Sequence, residues 1–130
     1  MRIGITGERG FVGKAVAGRL SECKYDVVPL GDWTYQWNSD GAGEIAADAP
    51  GNLDWVLHMG ARTSIAAAWD NPFGAYSNNL GSTLAALEIA RKSGASFLFM
   101  SSYVYGVPQY LPLDEEHPIY AINPYMGSKL

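Results

Sequence analysis

Tyr125 and Lys129 stand four residues apart, a spacing that places both side chains on one face if the segment is helical. A tyrosine with its usual pKa of about 10 is a poor base at neutral pH. A nearby ammonium favours the phenolate and lowers that pKa. The same lysine can hold a ribose hydroxyl. Ser101 and Ser102 follow the apolar run Ser96 to Met100. A hydroxyl at the end of such a strand can hydrogen-bond a reacting oxygen. By itself Tyr-x-x-x-Lys also describes a surface pair on an amphipathic helix. It gains weight from a second motif at the other end of the chain.

That motif is Thr6-Gly7-x-x-Gly10-x-x-Gly13, lying between a strand-like run (residues 2–6) and a helical pattern. So tight a turn needs residues free to take positive φ, and a phosphate reaches the backbone only where no Cβ intrudes. The helix that follows offers unpaired N–H groups and the positive end of its dipole to a pyrophosphate. Asp32, just past the second strand, is the candidate for binding both adenosine ribose hydroxyls, although Gly31 stands where the acid is first expected. A carboxylate there repels a 2′-phosphate and favours NAD over NADP.

The elements that must position these groups alternate. Residues 2–6, 26–30, 54–58 and 96–100 are expected to be strands, with Pro29 awkward in the second. Val12, Val16 and Leu20, with Ala15 beside them, mark the first helix. Residues 43–49 could make a short helix. A long helix is expected from Asn71-Pro72 to about Lys92, with Leu80, Leu84, Leu87 and Ala90 as its apolar stripe and Gly94 as its stop. Asn123-Pro124 is a cap and first-turn pair that opens a last helix. Alternation of this kind predicts an α/β fold, a doubly wound parallel sheet of about four strands in the order 3-2-1-4 with helices on both faces.

The composition agrees. The chain has 130 residues, one domain's length, and 48% are hydrophobic, enough for a packed core. A net charge of −4 argues against nucleic acid as a partner. One cysteine, Cys23, excludes an internal disulfide and a cysteine-rich metal site, and no metal is expected. No apolar run approaches the roughly 18 residues of a membrane span, and the start lacks a signal-peptide pattern. A soluble cytoplasmic protein is expected.

Five segments together resemble the extended short-chain dehydrogenase/reductase family, in its branch of NAD-dependent nucleotide-sugar epimerases and dehydratases. They are Thr6 to Gly13, Asp54 to Ala61, Asn79-Leu80-Gly81-Ser82-Thr83, Ser101 to Gly106, and Asn123 to Lys129. The resemblance covers essentially the whole chain and implies a Rossmann-type fold. It implies Tyr125 as acid/base, with Lys129 binding nicotinamide ribose. Gly7, Gly10 and Gly13 would shape the dinucleotide site, and Phe11 and Val12 would supply backbone near the pyrophosphate. His58, Gly60 and Ala61 would line the cofactor groove, with His58 equally readable as a core histidine ending a strand. Asn79 would order the groove, although counting from Gly81 selects Asn78. The serine is Ser102 counted from the strand and Ser101 counted back from Val104-Tyr105-Gly106; Ser102 is preferred.

Dehydratases of this family carry an Asp-Glu pair after the serine or threonine. Here the stretch is Ser102-Tyr103-Val104, which disfavours dehydration and leaves epimerisation or carbonyl reduction. Relatives run more than twice as long, so the resemblance implies an incomplete NAD(P)-binding domain over 1–130, a fragment without the C-terminal substrate domain. The nucleotide-sugar substrate then belongs to the full-length parent. The fourth strand is expected to be an uncovered edge, and a homodimer through the 73–92 helix is possible on the family's pattern. The competing expectation is a non-catalytic dinucleotide-binding module or redox sensor.

Overall fold

A computed structural model describes residues 1–31, 36–37, 43–44 and 50–130. Its elements are β1 (Arg2–Thr6), α1 (Phe11–Glu22), β2 (Asp26–Pro29), β3 (Gln36–Trp37), β4 (Gly43–Glu44), β5 (Trp55–His58), α2 (Ile65–Asp70), α3 (Pro72–Ser93), β6 (Ser96–Phe99) and α4 (Pro124–Gly127). The chain divides into two compact units. Residues 1–61 and 81–100 form one; residues 62–80 and 101–130 form the other.

The first unit is a parallel sheet in the order β2-β1-β5-β6. The crossover from β1 to β2 steps one way along the sheet and that from β5 to β6 steps the other. Right-handed connections therefore carry α1 and α3 to opposite faces, the doubly wound arrangement. The strand order itself is a correction. In the numbering of the four expected strands it is 2-1-3-4, not 3-2-1-4. Residues 55–58 pair with β1 on one side and β6 on the other. The reason lies in the strand's burial: Val56 and His58 are wholly enclosed, as a central position requires. Among the described residues β2 is at an edge, where Pro29 is tolerated because its missing N–H breaks no ladder bond.

Gly4, Val28, Val56 and Phe97 are in register across the sheet and so share one face. That face packs under α3 through a cluster of Leu30, Leu53, Val56, Ala86, Ile89 and Ala90. The side of α3 facing the core is a second correction. Leu80 and Leu87 of the expected stripe are exposed, and from Gly81 onward the buried positions are Gly81, Ala85, Ala86, Ile89 and Ala90. Small residues let the helix lie close to the sheet. The stop is as expected, with Gly94 at φ 66° just beyond Ser93. In α1, Val16 and Leu20 are half-buried, while Val12 and Ala15 are exposed. β6, continuously apolar, is an edge strand among the described residues. Gly43 and Glu44, expected in a short helix, pair antiparallel with β3; residues 45–49 lie outside the described residues.

In the second unit, Ala68 of α2, Ala75 of α3 and Tyr125 and Met126 of α4 form the core. The α2 helix was not anticipated. Its signal is Ser64, whose Oγ accepts from Ala67 N at 3.2 Å as an N-cap before Ile65-Ala66-Ala67-Ala68.

Ile89→Ala is expected to lower the unfolding free energy by about 3 kcal/mol, the usual loss for a cavity in a closed core. Leu87→Ala on the same helix should cost less than about 1 kcal/mol. Urea denaturation followed by circular dichroism measures both; equal losses would contradict the assignment of the buried face.

Candidate functional site

In the first unit the glycine turn is built from backbone. Gly7, at φ 70°, follows the last residue of β1, and Gly10 N donates to Gly7 O at 2.9 Å to close the turn. A Cβ on Gly7 would lie 2.7 Å from Gly60 N, and one on Gly13 would overlap Gly7 O. These two glycines let three main-chain segments touch. Gly10 differs. It is exposed, and a Cβ there would meet only Gly7 O, at 3.2 Å. Its bare surface is open to a ligand. Gly10 is also the N-cap of α1, with extended backbone and no side-chain cap. The first N–H groups of a helix have no intrahelical partners. Here Phe11, Val12 and Gly13 supply them, while the Phe11 ring is 96% exposed. An uncapped helix start over a bare glycine suits a pyrophosphate.

Thr6 holds this turn in place, a role the sequence reading missed. Its Oγ1 accepts from Met59 N at 3.1 Å and Gly60 N at 3.0 Å, and lies 2.7 Å from His58 Nδ1. With both lone pairs committed to N–H donors, the hydroxyl proton goes to Nδ1. His58 therefore carries its hydrogen on Nε2 and donates it to Thr83 Oγ1 at 3.1 Å. The ring is fully buried and stacked near Phe97 and Phe99. Both expectations for His58 concern this ring, which ends β5 inside the unit. Gly60 and Ala61 continue the same strand end and are half-buried. Asp32, the expected ribose contact, lies outside the described residues.

The second unit carries the serines, the tyrosine and the lysine. Asn123 caps α4 as the sequence predicts, its Oδ1 accepting from Met126 N at 2.8 Å. Pro124 occupies the first turn. The helix is one turn long, with Tyr125 buried within it and Lys129 just after it, 4% exposed. Burial holds the Lys129 ammonium below its ordinary pKa. Ser101 Oγ donates to Lys129 O at 3.3 Å. Ser102 is half-buried, and among the described residues its hydroxyl makes no hydrogen bond. The Tyr103 ring, exposed, lies 6.5 Å from that of Tyr125. Asn79 is 1% exposed; its Oδ1 accepts from Arg62 N at 2.7 Å, and its Nδ2 donates to Arg62 O at 3.1 Å and Ser128 Oγ at 2.8 Å. Asn78, the alternative, is only half-buried. Among the described residues no cluster of His, Cys, Asp and Glu could hold a metal, and no helix is long and apolar enough to cross a membrane.

The model of the NAD dependent epimerase/dehydratase family matches residues 3–130. The chain belongs to this family. Its members here include the UDP-glucose 4-epimerase of Streptomyces lividans, 32% identical over 143 residues, which cover 97% of this chain and 44% of that protein. A short-chain dehydrogenase/reductase superfamily protein from Agrobacterium tumefaciens, solved with bound NAD, superposes with a TM-score of 0.78 at 30% identity, over 99% of this chain and 42% of that one. The UDP-glucose 4-epimerase of Bifidobacterium longum, solved with NAD+ and UDP, gives 0.76 at 25% identity, over 99% and 46%. The chain spans slightly less than half the length of the curated relatives it matches first, 46% and 44%.

Two outcomes follow from this geometry. Thr6→Val keeps the shape and removes the oxygen, leaving two N–H donors without their acceptor; it should cost about 2–3 kcal/mol in urea unfolding, with Thr6→Ser restoring most of it. Lys129 titrates lower in the folded chain than in the unfolded one, so the unfolded state binds more protons in the interval below the ordinary 10.5. Stability from this group therefore rises with pH across that interval. Lys129→Met lacks this slope, and unfolding midpoints of the two proteins, measured as pH approaches 10.5, should shift steadily in favour of the wild type.

Proposed function

We propose that this chain supplies the NAD-binding and acid/base residues of a nucleotide-sugar epimerase, with UDP-hexose as the substrate class of the whole protein. The observation that carries it is the uncapped start of α1 above the bare surface of Gly10, in a chain that also bears Tyr125 and Lys129 four residues apart. The curated relatives, UDP-glucose 4-epimerases, support the sugar nucleotide. The N–H groups of Phe11, Val12 and Gly13 would hold the pyrophosphate, and Asp32 the adenosine ribose, favouring NAD over NADP. Bound NAD would supply a reversible acceptor for hydride at a sugar carbon.

The chain's own groups would handle the proton and the oxygen. The Tyr125 hydroxyl oxygen would exchange the proton with the sugar hydroxyl as the acid/base. The Lys129 ammonium would bind the nicotinamide ribose. Ser102, whose hydroxyl is uncommitted, hydrogen-bonds the reacting oxygen; Ser101 already spends its proton on Lys129 O. Ser102-Tyr103-Val104 carries no acid, which disfavours elimination of water and is consistent with epimerisation. The exposed Phe73, Leu80 and Leu87 of α3 support a homodimer through that helix.

Calorimetric titration tests the first half of this proposal. NAD should bind in the micromolar to millimolar range and NADP more weakly. Gly10→Trp, which fills the open surface, should abolish binding. Tyr125→Phe should leave NAD affinity within about twofold while lowering UDP-hexose epimerisation at least about a hundredfold. Loss of NAD binding in Tyr125→Phe, or undiminished turnover, would overturn the assignment. For the dimer, Leu80→Glu should convert a sedimenting dimer to monomer.

A further inference from the structure

The turn that carries Tyr125 and Lys129 is too short to hold itself. α4 has four residues, and a first helical turn fixes several dihedrals for one hydrogen bond. Its start is secured by Asn123. Its end is secured by a residue to which the proposed chemistry gives no role. Ser128 Oγ donates to Tyr125 O at 2.7 Å and accepts from Asn79 Nδ2 at 2.8 Å. Asn79 is in turn fastened at both ends of its amide to the backbone of Arg62. The path from Arg62 through Asn79 and Ser128 to Tyr125 is continuous and lies within one compact unit. A restraint of another kind comes from α3, where the Tyr76 hydroxyl occupies the space a Cβ on Gly127 would need.

We propose that Ser128 is a positioning residue, a hydroxyl clasp that fixes the rotation of the turn bearing Tyr125 and Lys129 by joining it to Asn79. It depends on the functional proposal only in naming what is positioned an acid/base pair. Removing the hydroxyl takes the acceptor from the Asn79 amide hydrogen and leaves the Tyr125 carbonyl with the Ser128 N–H, at 3.1 Å, in place of the shorter hydroxyl bond. The turn keeps its backbone bonds from Ser128 N and Lys129 N but loses its side-chain tie to Asn79, and Lys129, the next residue, loses one of the restraints on its place. A hydroxyl that merely filled space could be removed, as in Ser128→Ala, without such effects.

The test uses the chain as it stands, labelled with 13C at lysine Cε, with Lys129→Arg assigning the resonance. In Ser128→Ala, the Lys129 titration should move up toward the ordinary lysine value, and amides of residues 126–129 should exchange about tenfold faster, the loss of about one net hydrogen bond. Ser128→Thr, which keeps the hydroxyl, should restore both. If Ser128→Ala unfolds globally, Ser128→Cys, with a weaker partner in the same place, gives the same two measurements with a smaller shift. An unchanged Lys129 titration with unchanged amide exchange overturns the clasp. Failure of the functional proposal is distinct, because it shows as absent NAD binding or as turnover indifferent to Tyr125→Phe, whatever Ser128 does.

Discussion

One oxygen, Thr6 Oγ1, sets the geometry on which the glycine turn depends. It takes two backbone N–H groups from the end of β5 and gives its proton to His58. These bonds draw the end of β5 against the end of β1 until Gly7 and Gly60 touch, an approach that only a residue without Cβ permits. The same proton fixes the imidazole tautomer and so sends the Nε2 hydrogen to Thr83 on α3. Two strand ends and a helix are thereby tied by polar groups, with Thr6 and His58 buried and Met59, Gly60 and Thr83 half-buried. Such a network is stable only when every member is satisfied, which is why it is rigid.

Rigidity at the first turn contrasts with economy at the last. α4 has neither the length nor the hydrophobic face to stabilise itself, and it draws its order from two polar caps and from packing of Tyr125 and Met126 against Ala68 and Ala75. Tyr125 is thus a core residue and a candidate catalytic residue at once. Burial of its ring limits its motion, and the half-open segment around Ser102 and Tyr103 leaves the region accessible.

Much of this was legible in the sequence because it is local. The glycine spacing, the Asn123-Pro124 cap and the Gly94 stop each rest on chemistry within a few residues, and each lies where the pattern puts it. What the sequence could not settle is non-local. The side on which residues 55–58 join β1 depends on which edges pair, and period-free apolar runs look alike at centre and edge; β6 shows this directly. The face of α3 turned to the sheet was hidden because leucines draw attention and alanines do not, yet close packing selects the alanines. Thr6, Thr83 and Ser128 are ordinary residues by composition. Their importance comes from partners tens of positions away, and Thr6 alone offered a hint, standing at a strand end directly before the turn.

The glycine turn presents main chain, not side chains, to whatever it binds. Glu8, Arg9 and Phe11 stand around it, with Arg9 and Phe11 directed largely to water. Substitution at Arg9 or Phe11 changes local charge and solubility and leaves the array of N–H groups intact. Sequence drift at Arg9 and Phe11 can therefore change this surface while the backbone N–H groups stay in place. Two proteins with the same three glycines and otherwise dissimilar loops would share the property, and identity scores across the turn understate how much function they have in common.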